Sequence, residues 1–276
     1  MPLAVVMVHL DLDQPNEVRL RIARDIAMRF GAAVIGITAC GPHPDARATG
    51  AFGLAMALIE RDRQQGEEHI EETEQAFRAA MTGLDTSVEW RVAAANPATY
   101  VAQQARSADL VIAGASADAL MPPFVYTLDM AELVLNAGRP LLLVPPDVQV
   151  FTGERIVIAW NDTREARRAV RDALPLLQNS EAVTVAEVIE GRAGDHRPSG
   201  ADDVAAWLRR HGVPAGATVL AGPDGVAEQI DRLAAERAAD LIVAGAYGRS
   251  RFREWVLGGA TRDFLTAATR CVLLAH

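Results

Sequence analysis

Residues 107–115 read SADLVIAGA, and residues 238–246 read AADLIVAGA. Six of the nine positions are identical, and two more exchange Ile and Val. Carried on without a gap, the same offset of 131 residues pairs Arg139 with Arg270 and Leu142-Leu143 with Leu273-Leu274. A second unit of about half the chain therefore follows the first, and self-similarity on this scale is the first thing to settle in a sequence.

Working outward, each half alternates strand and helix patterns. In the second half, Arg155–Trp160 is a short apolar run, and Thr163 precedes a stripe of Ala166, Ala169, Val170, Ala173, Leu174 and Leu177 that fits one helix face. Strands follow at Ala182–Val188, Thr218–Leu220, Leu241–Ala244 and Cys271–Ala275. Helices are expected at Asp202–Arg210, around Val226 to Ala234, and at Gly258–Thr269. The first half repeats the order, with strands near Ala4–His9, Ala33–Thr38, Ser87–Val92, Leu110–Ala113 and Leu141–Val144. Its second helix, within Leu54–Met81, is long and charged, as a solvated face is. Pro145–Glu154 reads as a polar, turn-like linker, because proline cannot join a sheet ladder. Alternating βαβ units predict parallel sheets with helices on both faces, wound in both directions. The expected fold class is therefore α/β, two tandem doubly wound domains at 1–147 and 153–276, each a five-stranded parallel sheet. In such sheets ligands bind beyond the carboxyl ends of the strands, at the switch point.

Composition narrows the chemistry. Acidic residues outnumber basic ones 36 to 27, giving a net charge of -9. That balance argues against nucleic acid as a partner, because phosphate binding needs a basic surface. No apolar run approaches the ~20 residues that span a bilayer. The N-terminal MPLAVVMVHLDLD lacks a basic region and reads as a first strand rather than a targeting signal, so a cytoplasmic location is expected. Cys40 and Cys271 sit in or beside apolar runs and read as buried packing thiols. All 27 basic residues are arginine. A Walker A lysine, a Schiff-base lysine and a lysine general base are thereby excluded. The six histidines show no metal-ligand spacing, and no GxSxG or HExxH is present, so neither a catalytic residue nor a metal ligand is assigned. Asp11 and Asp13 follow the first strand, where helix capping and solvation are the ordinary roles.

One segment carries a binding signal. After the fourth strand of the second half comes GAYGRSRFREWVLGGATR. Gly245 and Gly248 bracket a tight turn, and Gly258 and Gly259 open a helix. Glycines allow close backbone approach, and the free N–H groups at a helix start favour an anion. Spacing alone leaves a purely structural role open.

These residues resemble the nucleotide signature of the universal stress protein family, Gly-x2-Gly-x9-Gly-Ser/Thr, with Gly245, Gly248 and Gly258 in the glycine places. The repeat as a whole is similar to that family's domain, so the resemblance covers nearly the full chain and implies an adenine nucleotide alpha hydrolase-like fold. It implies ATP or another adenine nucleotide, with or without magnesium, held in the second half by the loop, Arg249, and the backbone of Gly259 and Ala260. Gly259 stands where the family has Ser or Thr. A hydrogen bond to a charged group is worth ~1.5–3 kcal/mol, roughly 10- to 100-fold in affinity, and neighbouring Thr261 is the candidate substitute. Asn161 stands where the family often has an adenine-binding Asp; it keeps an acceptor oxygen and loses the charge. Trp160 beside it either stacks on the base or packs in the core, and Val188 would line the base pocket.

The matching positions of the first half are Gly114, Ala117, Thr127 and Leu128, so only the first glycine survives. That half is expected to lack the usual nucleotide site. The resemblance further implies a regulatory protein whose halves pair internally through their last strands as a pseudo-dimer, with chains pairing again as homodimers. A nucleotide-independent scaffold of the same fold is the alternative. A slow ATP hydrolase ranks third, since no residue set for water activation is legible.

Overall fold

The computed structural model describes residues 3–40, 68–115, 128–189, 200–247 and 259–276. The chain divides into two compact units, one formed by the chain up to Gly138 apart from a few residues after Gly114, the other Arg139–His276. The first unit runs β1 (Val5–His9), α1 (Glu17–Phe30), β2 (Ala33–Ala39), α2 (68–80), β3 (Val88–Ala93), α3 (Pro97–Gln104), β4 (Leu110–Gly114) and α4 (Met130–Asn136). Its strands lie in the order β3-β2-β1-β4, all parallel.

The second unit adds β5 (Leu141–Val144), β6 (Arg155–Trp160), α5 (Arg164–Asp172), α6 (Leu174–Leu177), β7 (Ala182–Ile189), α7 (Gly200–Arg210), β8 (Ala215–Ala221), α8 (Val226–Glu236), β9 (Leu241–Gly245), α9 (Gly259–Ala267) and β10 (Cys271–Ala275). Its sheet order is β5-β10-β9-β6-β7-β8. Every described pairing in it is parallel except β5 with β10, where Leu143, Leu142 and Leu141 face Val272, Leu273 and Leu274 antiparallel. Each repeat contributes five strands, as expected, and the last strand of the first repeat, β5, belongs to the compact unit of the second.

The winding follows from crossover handedness. The chain steps outward from β6 to β7 to β8, then returns across the sheet to β9. Right-handed crossovers put α5 and α7 on one face and α8 on the other, where it packs on α9. Cover on both faces makes consecutive strand residues apolar: Val6, Met7 and Val8 are each fully buried, as are Ile156, Val157 and Ile158 to within 2%. Local signals end the helices where expected. Thr163 caps α5 by accepting the Ala166 N–H at 3.2 Å, and Asn96 caps α3 with Pro97 in its first turn. The stripe from Ala166 to Leu177 is not one helix: Pro175 has no N–H to donate and its ring crowds the preceding turn, so the chain breaks at Ala173 into α5 and α6. No helix among the described residues is long and apolar enough to cross a membrane.

The repeated aspartate explains why the repeat is legible. Asp109 Oδ2 accepts the N–H groups of Ala4 at 2.8 Å and Val5 at 3.0 Å, so it clasps the entry to β1. Asp240, its counterpart, accepts from the Thr152 N–H, the Thr152 hydroxyl at 2.9 Å and the Gly153 N–H at 3.0 Å, just before β6. Val148 and Phe151 are buried, so 145–154 is a fastened segment of the second unit and not the polar connection its composition predicts. Replacing Asp240 by Ala orphans these donors and is expected to cost about 1–3 kcal/mol, with Asp240→Asn losing less. Urea unfolding midpoints measure this, and an unchanged midpoint for Asp240→Ala contradicts the clasp.

Candidate functional site

The switch point of the second unit lies between β6 and β9, which are adjacent but lead their chains in opposite directions across the sheet. Gly245 ends β9 there. A Cβ on Gly245 would sit 2.5 Å from the Ala166 nitrogen and 2.7 Å from the Glu165 carbonyl carbon. The first glycine of the signature is therefore a packing glycine, which lets the start of α5 press on the end of β9. Gly259, the first residue of α9, is the opposite case: among the described residues nothing stands within 4 Å of the place its Cβ would take. Gly248, Arg249 and Gly258 lie outside the described residues.

Entry to the glycine loop is held by Thr261 together with Tyr247, His276 and Arg168, to which the sequence reading gave no role. Tyr247 is buried with a left-handed backbone, φ 56°, and its N–H donates to the Thr261 hydroxyl at 3.3 Å. Thr261, the candidate replacement for the missing hydroxyl, is thus buried and tied to the first end of the loop. His276 Nδ1 lies 3.0 Å from the Ala246 carbonyl oxygen, and Arg168 donates to the His276 carbonyl at 2.7 Å. Only the left-handed φ of a non-glycine residue, invisible in sequence, marks Tyr247 as special.

The base side is equally specific. Asn161 is exposed, and its Oδ1 accepts the Thr163 hydroxyl at 3.0 Å. The same hydroxyl accepts the capping bond of α5, so the acceptor that Asn161 was expected to offer is engaged with the cap, and its amide N–H groups face no partner among the described residues. Trp160 is buried, and a Cβ on Gly200 would come 2.8 Å from its Nε1, so the indole edge packs under the start of α7. That Nε1 has no hydrogen-bond partner among the described residues. Val188 is the penultimate residue of β7, half-buried and paired with Leu220. Glu165 is buried in the first turn of α5. Burial pushes its carboxyl up, but the Arg164 hydrogen bond, its own backbone N–H and the charges of Arg164 and His276 outweigh that and leave it below the usual range. An ionised carboxylate thus stands beside Ala166 and Gly245.

The first unit's switch point, between β1 and β4, is built differently. Strand register puts Asp11 in the place of Asn161, since Val6 faces Leu110 as Ile156 faces Leu241. Asp11 caps no helix; it forms a 2.6 Å ion pair with Arg19, which is itself buried. Arg19 also donates to the His9 and Pro15 carbonyls, at 3.2 Å and 2.9 Å. Its guanidinium lies across Gly114, where a Cβ would meet Nη1 at 2.9 Å. The first-half glycine survives because a side chain of α1 needs its space. Both cysteines are free thiols, and burial pushes Cys271 up to about 12.

Residues 153–276 match the model of the Universal stress protein family. They are a universal stress protein domain. The whole chain is similar in fold to a universal stress protein from Archaeoglobus fulgidus DSM 4304, with TM-score 0.74, 14% identity, and coverage of 98% of this chain and 95% of that one. A putative universal stress protein from Pseudomonas aeruginosa UCBPP-PA14 is similar at TM-score 0.60 and 18% identity, over 99% of this chain and 93% of that one. A functionally unknown protein from Pseudomonas aeruginosa PAO1 is similar at TM-score 0.60 and 16% identity, over 99% and 92%. No curated protein matches the sequence.

Two outcomes follow. Gly245→Ala is expected to lose at least about 1–3 kcal/mol by overpacking, whereas Gly259→Ala leaves the melting temperature within about a degree or two of wild type. Equal shifts for both would contradict the packing role of Gly245. His9 is lowered to about 4, chiefly by burial, with Asp11 opposing and Arg19 reinforcing. It is neutral in the fold and protonates more readily unfolded, so its stability contribution is complete above about pH 6.5 and is lost as pH falls towards 4, roughly 3 kcal/mol in all. His9→Gln should flatten the pH dependence of urea unfolding in that window, and an unchanged slope would refute the assignment.

Proposed function

We propose that residues 153–276 bind an adenine nucleotide, ATP in the first instance, between the carboxyl ends of β6 and β9. In this reading the chain is a regulatory stress-response protein of the cytoplasm and not a catalyst, and 1–147 is a second domain of the same kind with a degenerate motif. The observation that carries it is the contrast between the two switch points. In the first, Arg19 and Asp11 occupy each other across Gly114. In the second, no described residue stands beside Gly259, which begins α9, whose first-turn N–H groups have no partners within the helix. Such groups favour a phosphate. The residues fit a nucleotide with two differences from the family: Gly259 brings no hydroxyl to the phosphate, and Asn161 offers amide donors to the base where an aspartate would accept.

The engagement of Asn161 Oδ1 by Thr163, and the absence of a hydroxyl at Gly259, favour the second reading, a scaffold that binds no nucleotide. Calorimetric titration of ATP with magnesium into nucleotide-stripped protein separates the two. The expected result is one site per chain, abolished by Gly248→Val. Gly259→Ser, with room for its side chain, should tighten binding ~10- to 100-fold by restoring a hydroxyl. No heat and no thermal stabilisation at millimolar ATP would sink the nucleotide reading and leave the scaffold.

A further inference from the structure

Two helices carry opposite charge in the same ladder. On α5, Arg164, Arg167, Arg168 and Arg171 are all exposed and stand at i, i+3, i+4 and i+7, one face of the helix. The opposite face, Ala166, Ala169 and Val170, is buried. Neighbouring carboxylates cancel only part of the stripe. Arg164 pairs with Glu165 at 2.8 Å, but that carboxylate is turned into the core. Arg167 pairs with Asp162. Arg168 and Arg171, with exposed Arg139, act on a single carboxyl, Asp172, which burial nonetheless holds above its usual range. A positive stripe therefore stands on a chain whose net charge is -9.

On α2, Glu68, Glu71 and Glu72 are exposed at i, i+3 and i+4, with Gln75 and Arg78 exposed further along the helix. Thr73 and Phe77 are its buried side. Glu74 is taken by Arg78 at 2.7 Å, while none of Glu68, Glu71 and Glu72 forms an ion pair among the described residues. Arginine binds carboxylates through a planar fork of donors, so an arginine ladder facing a glutamate ladder of equal spacing can form several two-pronged contacts at once.

We propose that the α5 arginine stripe of one copy docks on the α2 glutamate face of a second copy of this chain. The occupant is argued from charge: a polyphosphate partner would meet the remaining negative surface, whereas α2 supplies the complementary ladder within the same sequence. Exposed pairs contribute little singly, so the contact depends on several and dissolves in salt. Because the two surfaces differ, two copies either close reciprocally or extend into a chain. The nucleotide reading is not needed for any of this.

Sedimentation velocity of the full chain tests it, at about 0.01 M and about 1 M salt, where the Debye length is about 30 Å and 3 Å. A dimer or larger assembly is expected at low salt and a monomer at high salt. Reversal of the stripe (R167E, R168E, R171E) should abolish association, as should reversal of the other side (E68R, E71R, E72R). All six together should restore it. The side chains are exposed, so circular dichroism should match wild type; if one reversal misfolds, the other and the six-fold swap still decide. A monomer at low salt overturns the proposal. So does association that survives either reversal, or a swap that fails to restore it.

Discussion

A carboxylate at the mouth of the fourth strand holds the start of the first strand, and the geometry of each switch point follows from that bond. Asp109 takes two N–H groups ahead of β1, and Asp240 takes two ahead of β6 together with the Thr152 hydroxyl. The same residues return a backbone bond, Asp109 to the Val5 carbonyl and Asp240 to the Arg155 carbonyl. Two strands distant in sequence are thereby fixed in register at their amino ends. A slip of one residue would turn every inward side chain outward. Register fixed at the amino ends also fixes which residues meet at the carboxyl ends, where Gly114 and Gly245 face the residues that follow β1 and β6.

From similar strands the two units then diverge through what lies against that glycine. In the second unit it is helix backbone, the Glu165–Ala166 peptide, which no substitution of Gly245 accommodates without movement. In the first it is a side chain, Arg19, which brings its own counter-ion in Asp11. A buried arginine must be paired and hydrogen-bonded to be tolerated, and Arg19 is both. Once the pair is in place, the acid that aligns with the family's base-binding position is spent on the fold. His9, buried against the pair, stays neutral chiefly because burial disfavours its charged form, and the Arg19 charge adds to that.

Most of the architecture was legible because it depends on local pattern. The repeat of ADL and AGA, the alternation of apolar runs, and the capping Thr163 each act within a few residues. What sequence did not disclose depends on distance. The linker reads as polar and loose, yet Asp240, 88 residues from Thr152, fastens it. The break at Ala173 was legible in principle from Pro175, but the apolar stripe continues through it and masks the interruption. Arg19 looks like any charged helix residue until the fold brings Gly114 alongside. At the site, Gly245 and Gly259 appear as members of one motif, and only packing separates a glycine that is required from one with space to spare.

The Thr163 hydroxyl shows how closely fold and site are joined. It accepts the Ala166 N–H and so begins α5. Its single proton goes to Asn161 Oδ1, and its own backbone N–H to the Asn161 carbonyl at 2.7 Å. An aspartate at 161 would accept that proton equally well and still hold a second, charged oxygen towards the crevice. Asparagine instead turns its amide outward, so the group at this position changes from acceptor to donor while the helix cap is untouched. The cap bond fixes where the threonine stands, and the threonine's proton fixes which way the amide faces. In the proposed nucleotide site, recognition at this corner would be set by one residue without cost to the helix that carries it.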